Sequence, residues 1–472
     1  MPTGDRRRPV APTRDNGLMP DLPRKAAART ARLAALPLGH AGRTAIGFGR
    51  RLGGAPAEAV MSEIQQRTAE QLFRTLGELK GGAMKFGQAL SVLESALPEE
   101  MAAPYREQLT KLQDSAPPMP TQTVRDILAA DLGPNWKNQL VWLDGAPTAA
   151  ASIGQVHQGR WRDGDGTERL VAVKVQYPAA GEALQSDLRT LARAARAIGP
   201  LIPGVDMKPL VEEVQARARE ELDYELEAEA QREFAATFRD DPHIVVPDVV
   251  AVGPRVLVTE WLDSVSSLAK VITDGTQAER DHYGEIFTRF LFSGPARTGL
   301  LHADPHPGNF RIIPNDDGSP GRIGVLDYGA VARLPQRGLP EPMGRLITLC
   351  AAGDGDALIE GLREEGFLKD RIKLDPQLLM DYLSPFVDPT LVERFRFSRT
   401  WMREQFQRIN NPKDPAYTVS IKLNLPPSYV LIHRTWLGGV GVLSQLEAEA
   451  PFRALLEEFL PGFSPAVIRP VE

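Results

Sequence analysis

Apolar residues first recur at helical spacing at Met61, Ile64, Leu72, Leu76 and Leu79, with polar residues between them. The pattern resumes after Gly81-Gly82 through Met84, Phe86, Leu90 and Leu93, and Pro117, Pro118 and Pro120 then mark a linker. Beyond it the period shortens. Ile153–Trp161 and Leu170–Gln176 read as two strands, joined by Asp163-Gly164-Asp165-Gly166, which has the chemistry of a hairpin turn. A long helical stretch follows from about Ala180 to Phe238, interrupted at Gly199-Pro200 and Pro203-Gly204. Two further strands are predicted at Ile244–Val246 and Arg255–Thr259. After Trp261 the pattern is mostly helical, with one loop-and-strand interlude from His302 to Tyr328.

This order predicts an α+β chain: a helical leader, a small strand-rich unit and a larger helical unit, with a site in the cleft between the last two. We divide it into a basic leader (1–60), a helical extension (61–120), a first lobe (121–262) and a helical second lobe (263–472). A length of 472 residues, 42% of them hydrophobic, suits several folded units and excludes general disorder.

Charge and cysteine usage narrow the setting. Residues 1–60 carry eleven Lys/Arg against four Asp/Glu, a net of +7 in a chain of net −6, which leaves −13 for residues 61–472. So acidic a body argues against nucleic acid as a partner. For the leader three readings stay open: a solvated tail, a contact for an anionic membrane surface, or an Arg-rich transit segment. Cys350 is the single cysteine, so no internal disulfide forms and a reducing, cytoplasmic setting is expected. The longest apolar run, Val430 to Leu443, is interrupted by His433 and Arg434, so no transmembrane helix is predicted.

Three motifs carry candidate chemistry. In 302-His-Ala-Asp-Pro-His-Pro-Gly-Asn-309, Asp304 precedes Asn309 by five residues, the spacing of a kinase catalytic loop. There a carboxylate would orient an attacking hydroxyl and an amide oxygen would hold Mg²⁺. In 325-Val-Leu-Asp-Tyr-Gly-329 an apolar strand ends in an aspartate suited to the same metal, with Gly329 permitting a turn. In 171-Val-Ala-Val-Lys-174 the lysine alternates with apolar neighbours and so faces away from the buried side, towards the phosphates of a bound nucleotide. A zinc site at His302 and His306 is the weaker alternative, because only two such ligands lie close together.

Taken with 85-Lys-Phe-Gly-Gln-88, 149-Ala-Ala-Ala-Ser-Ile-Gly-Gln-Val-156 and 221-Glu-Leu-Asp-Tyr-Glu-Leu-Glu-227, the His302–Asn309 loop resembles the UbiB/AarF atypical kinase-like family, which includes coenzyme Q biosynthesis regulators. The resemblance implies a two-lobed protein-kinase-like fold whose helical N-terminal extension folds over the cleft. It implies ATP (or ADP) and Mg²⁺ as cofactors. Ala149, Ala150, Ala151 and Ser152 would replace the usual glycine-rich loop over the phosphates, and Glu227 would hold Lys174 from a helix 53 residues later. Asp304, Lys174 and Glu227 would be catalytic, and Asn309 and Asp327 would be metal ligands. Glu260 and Leu262, flanking Trp261, would receive the adenine. Lys85 and Gln88, with Glu221 and Asp223, would gate the site. On a regular helix Glu221 and Asp223 would lie about 200° apart, so Lys85 would meet both only if the helix breaks there.

Three departures from ordinary kinases stand out: Tyr328 follows Asp327, Asp304 follows His-Ala rather than His-Arg, and no Ala-Pro-Glu segment follows Gly329. The family shares the last two, which argues against ordinary protein-substrate phosphorylation. The implied activity is an atypical kinase or ATPase that serves isoprenoid quinone or other lipid metabolism at a membrane surface, with a quinone-like lipid as partner. A nucleotide-binding module that recruits a lipid or protein is the alternative. Oligomeric state stays open, a dimer included.

Overall fold

A computed structural model describes residues 118–464, except 151–152, 179–180, 182–219, 221, 316, 318, 411–413 and 421. The expected leader and extension, with Lys85 and Gln88, lie outside the described residues, as do Ala151, Ser152, Glu221 and most of the stretch from Ala180.

The first lobe opens with α1 (Thr121–Asp131), one helical turn α2 (Trp136–Gln139) and strands β1 (Leu140–Leu143), β2 (Ala149–Ala150), β3 (Gly154–Arg162) and β4 (Glu168–Gln176). Helix α3 (Tyr224–Thr237) precedes β5 (Ile244–Val245), β6 (Val249–Gly253) and β7 (Val256–Glu260). One antiparallel sheet in the order β1-β3-β4-β7-β6, with β2 on the free side of β3's start, makes the lobe's floor. The expected hairpin forms, its turn closed by Gly166 N–H donating to the Asp163 carbonyl (3.0 Å). Val171, Val173 and Val175 of β4 are wholly buried against Val124, Ile127 and Leu128 of α1. The two-residue period then puts Ala172 and Lys174 on the opposite, cleft-facing side.

Strand β6 was not anticipated from the sequence. Val249–Val252 and Val256–Thr259 are two apolar runs around Gly253-Pro254, and they pair as a hairpin with Gly253 opposite Val256.

The second lobe holds β8 (Ser266–Ser267), α4 (Leu268–Asp274), α5 (Gln277–Thr298), β9 (Leu300–His302), β10 (Phe310–Ile313), β11 (Arg322–Val325) and β12 (Val331–Arg333). Helices α6 (Glu341–Ala351), α7 (Gly355–Glu364) and α8 (Pro376–Val387) follow. Then come β13 (Phe395–Arg396), α9 (Arg399–Asn410), α10 (Pro415–Ser420), α11 (Val430–Leu446), β14 (Glu449–Ala450) and α12 (Phe452–Phe459). The lobe is helical as expected, though β8 and the β13–β14 pair add strands outside the predicted interlude. Helix α5 is fixed at both ends, by a Thr276/Glu279 capping box and by Gly299 in the left-handed region. Its Phe287 and Phe290 meet Phe310 of β10 edge-on, at 4.9 and 5.9 Å between ring centroids. No helix among the described residues is long and apolar enough to cross a membrane.

Candidate nucleotide and metal site

Helix α3 brings the first acid to the lysine. Asp223 caps it, its carboxylate accepting from the N–H groups of Glu225 (3.0 Å) and Leu226 (3.2 Å). The helix begins at Tyr224, with Leu222 and Asp223 ahead of it as turn and cap, while Glu221 lies outside the described residues. The buried face of α3 runs through Tyr224, Glu227, Ala228, Gln231 and Phe234, at i, i+3 and i+4 spacing. Glu227 therefore sits on an otherwise apolar and polar-neutral face, 4% exposed, directly under β4.

Lys174 meets it there. The ammonium donates to both Glu227 oxygens, at 2.7 and 3.0 Å, and to Asp327 Oδ1 at 3.2 Å. It also lies 5.2 Å from the Tyr224 ring centroid. Burial alone would push the ammonium's pKa down, but the carboxylates of Asp327 and Glu227 override it and hold the pKa well above the ordinary lysine value. Lys174 is thus a fixed cation at the edge of the cleft.

The two loops of the second lobe are stitched together by backbone bonds. Leu326 N–H donates to the Asn309 carbonyl (2.8 Å), and Ala303 N–H donates to the Ala330 carbonyl (2.8 Å). Strands β9 and β12 pair with His302 opposite Val331, so Asp304 and Asp327 leave neighbouring strand ends. Asp327 has φ +62°, a left-handed conformation that aspartate tolerates better than most residues. Gly329 N–H bonds its carboxylate at 3.3 Å. A Cβ on Gly329 would come within 3.3–3.4 Å of Asp327 Oδ1 and Glu227 Oε2, so glycine lets the turn close over both acids.

Asp304 is 5% exposed, and Asn309 donates from its side-chain nitrogen to the Asp304 carbonyl at 3.3 Å. That bond turns the amide oxygen of Asn309 to the other side as an acceptor. Asn309 and Asp327 form an all-oxygen donor pair of the kind Mg²⁺ takes together with nucleotide phosphates, and the donor set fits the metal. The histidines do something else. His306 Nδ1 accepts from Gly308 N–H (3.2 Å) and caps the turn Pro307–Asn309. His302 is 2% exposed, with its ring edge-on to Phe290 (5.6 Å) and Tyr328 (5.3 Å). Its burial lowers the ring's pKa, against the charges of Asp304 and Asp327 and the backbone of Leu326 and Asp327. It is a neutral structural pillar beneath both loops.

Of the remaining expected residues, Ala149 and Ala150 pair with Val156 and Gln155 at the mouth of β3, on the lobe edge that carries Lys174. At the hinge, the N–H groups of Glu260 and Trp261 are bonded to the carbonyls of Asp248 (2.8 Å) and Leu170 (3.1 Å). These two N–H groups are thereby taken up within the lobe. Leu262 packs over Gly324 of β11, where a Cβ would meet its Cδ1 at 2.6 Å, so the hinge and the strand leading to Asp327 share one support. Asp223 spends its carboxylate on the helix cap, and the structure brings Lys174, Glu227, Asp304, Asn309 and Asp327 to one cleft.

Sequence reasoning missed the support of the catalytic loop by α11. A Cβ on Gly438 would sit 2.6 Å from Pro305 Cγ. Gly438→Val should therefore displace the residue beside Asp304, lowering nucleotide affinity at least about tenfold while far-UV circular dichroism stays unchanged. Isothermal titration with ATP and Mg²⁺ measures it; unaltered affinity would show that Pro305 yields freely.

Sheet, capped helix and paired loops define a protein-kinase-like architecture with an atypical loop set. The chain belongs to the ABC1 atypical kinase-like domain family, which matches residues 111–360. It is 34% identical over 287 residues to the chloroplastic protein Activity of BC1 complex kinase 1 of Arabidopsis thaliana, covering 58% of this chain and 39% of that one. It is 31% identical over 269 residues to the mitochondrial atypical kinase COQ8 of Schizosaccharomyces pombe, covering 57% and 42%. The matched parts thus span about two fifths of these relatives. A solved Rv3197–erythromycin complex from Mycobacterium tuberculosis is similar in fold, with 39% identity and a TM-score of 0.64, covering 86% of this chain and 99% of that one.

Proposed function

We propose that the chain is an ATP- and Mg²⁺-dependent atypical kinase or ATPase that supports isoprenoid quinone or other lipid metabolism at a membrane surface. One observation carries the reading: Lys174, held by Glu227 at 2.7 Å, reaches Asp327 at 3.2 Å across 153 residues of sequence. Mg²⁺ would supply positive charge to offset that of the phosphates. Asn309 and Asp327 would hold it, Lys174 would pair with the α- and β-phosphates, and Asp304 would orient the acceptor's hydroxyl or a water. The kinase names of the relatives support the phosphotransferase reading, and the leader's +7 charge suits an anionic surface.

The test is phosphate release by the purified full chain with ATP and Mg²⁺, with and without anionic vesicles. Turnover that falls about 10²–10⁴-fold in Asp304→Asn supports the enzyme. A protein whose melting temperature rises with ATP and Mg²⁺ but which never releases phosphate is instead a binding module.

A further inference from the structure

Helix α11 contains the most apolar run of the chain, and its burial is two-sided. Val440, Val442, Leu443 and Leu446 enter the main core with α5. Ile432, His433 and Trp436, one to two turns earlier, line a cavity of about 310 Å³ between α6, α7, α8, α10 and α11. None of its lining residues belongs to the nucleotide site.

Protein interiors pack nearly as densely as organic crystals, and voids much larger than a water molecule are few. This space opens to solvent on one side, and its apolar walls lack the contacts that a bound molecule would supply. Its volume lies at the lower end of the range found for small-molecule sites. The walls are mainly Leu346, Leu358, Leu362, Leu383, Phe386 and Trp436. No Asp, Glu, Lys or Arg is among the lining residues.

The polar groups that do reach the cavity are neutral. The Cys350 thiol is pushed up to about 12 by burial first and by the charge of Asp388 second, so it stays protonated. Burial lowers the pKa of His433 and raises that of Tyr382. Asn424 donates its side-chain N–H to the Gly366 carbonyl (3.2 Å), and Ser420 donates to the Tyr417 carbonyl (2.8 Å). The Tyr382 hydroxyl and the His433 ring form no hydrogen bond among the described residues, and the His433 ring lies 6.4 Å from that of Phe386. A ligand here meets an apolar chamber with two neutral hydrogen-bonding groups and no charged side chain in its lining, the carboxylates of Asp388 and Glu365 lying behind Cys350 and Tyr429.

We infer that this chamber is a binding site for one uncharged lipid-like molecule, an apolar body with a single hydroxyl or carbonyl head directed to Tyr382 and His433. The site is distinct from the nucleotide cleft, and binding needs no nucleotide, so it stands or falls apart from the phosphoryl-transfer reading.

The experiment is a fluorescence titration of the full chain with N-phenyl-1-naphthylamine, followed by displacement with 1-decanol, decanoate and decylammonium, each below its micellar concentration. The expected result is saturable one-to-one binding, with decanol displacing the probe at concentrations at least about tenfold lower than either charged compound. Leu383→Trp, which fills the chamber, should weaken the probe at least about tenfold. Should that variant fail to fold, Tyr382→Phe and His433→Phe serve instead: each should weaken decanol about fivefold, the loss of one hydrogen bond. No saturable probe binding, equal competition by the charged compounds, or decanol competition unchanged in both of the last two variants would overturn the assignment.

Discussion

Asp327→Asn is expected to lower ATP turnover by at least about 100-fold while the fold survives. Asparagine is nearly isosteric with aspartate and accepts φ +62°, so the turn at 327–329 keeps its shape. What disappears is one negative charge, at the point where Lys174 and the metal would otherwise be balanced. Lys174 keeps Glu227, whose oxygens lie at 2.7 and 3.0 Å, so the lysine stays in place and charged. Steady-state phosphate release measures the loss, and near-UV circular dichroism checks the fold. Turnover within threefold of the parent protein would remove Asp327 from the metal.

Phe234→Ala is expected to be the most damaging substitution outside the cleft. The ring is wholly buried and lies 5.0 Å from Tyr328, 5.8 Å from Phe290 and 6.1 Å from Phe238. Removing it costs about 3–5 kcal/mol by the usual range for a buried phenylalanine, which lowers the melting temperature by roughly 8 °C or more. The same ring anchors the helix bearing Glu227 onto the residue after Asp327, so ATP affinity should fall with stability. Phe238→Ala is the control. Phe238 is also buried, but its ring partners are Phe234 and Phe290, with the Arg297 guanidinium 4.0 Å above it. It should lose comparable stability and retain nucleotide affinity. Scanning calorimetry with ATP titration separates the two; equal affinity losses would mean that α3 moves as a whole rather than through the Phe234–Tyr328 contact.

The contrast between these rings shows what the sequence could and could not convey. Local period made Lys174 legible: valines at 171, 173 and 175 leave only one face for it. Glu227 came from the family resemblance alone; in the structure it shares the buried face of Tyr224, Gln231 and Phe234, which sets it apart from its neighbours Glu225 and Glu229. The five-residue gap from Asp304 to Asn309 encodes one tight loop, which the bond from Asn309 to the Asp304 carbonyl closes.

Harder to see were features that depend on distant partners. The Lys174–Asp327 contact joins positions 153 residues apart, and only the expected chemistry suggested it. Asp223 reads as one more acid in a Glu-rich run, yet its place just before Tyr224 makes it a helix cap. His302 reads as structural from the sequence, but its partners do not show there: it is held by aromatic rings on α5, β10 and Tyr328. Strand β6 was readable, since Gly253-Pro254 separates two valine-rich runs of similar length. The chamber beside α11 has no linear signature, because five helices contribute to it.

The central claim is that two lobes place one lysine, one asparagine and two aspartates around a single magnesium-bound triphosphate. A crystal structure of the full chain with Mg²⁺ and a non-hydrolysable ATP analogue tests it most directly. The account predicts a metal about 2.0–2.1 Å from oxygens of Asn309 and Asp327, with Lys174 Nζ bonded to an α- or β-phosphate oxygen. Triphosphate density outside this cleft, or inside it with no metal touching Asp327, would contradict it.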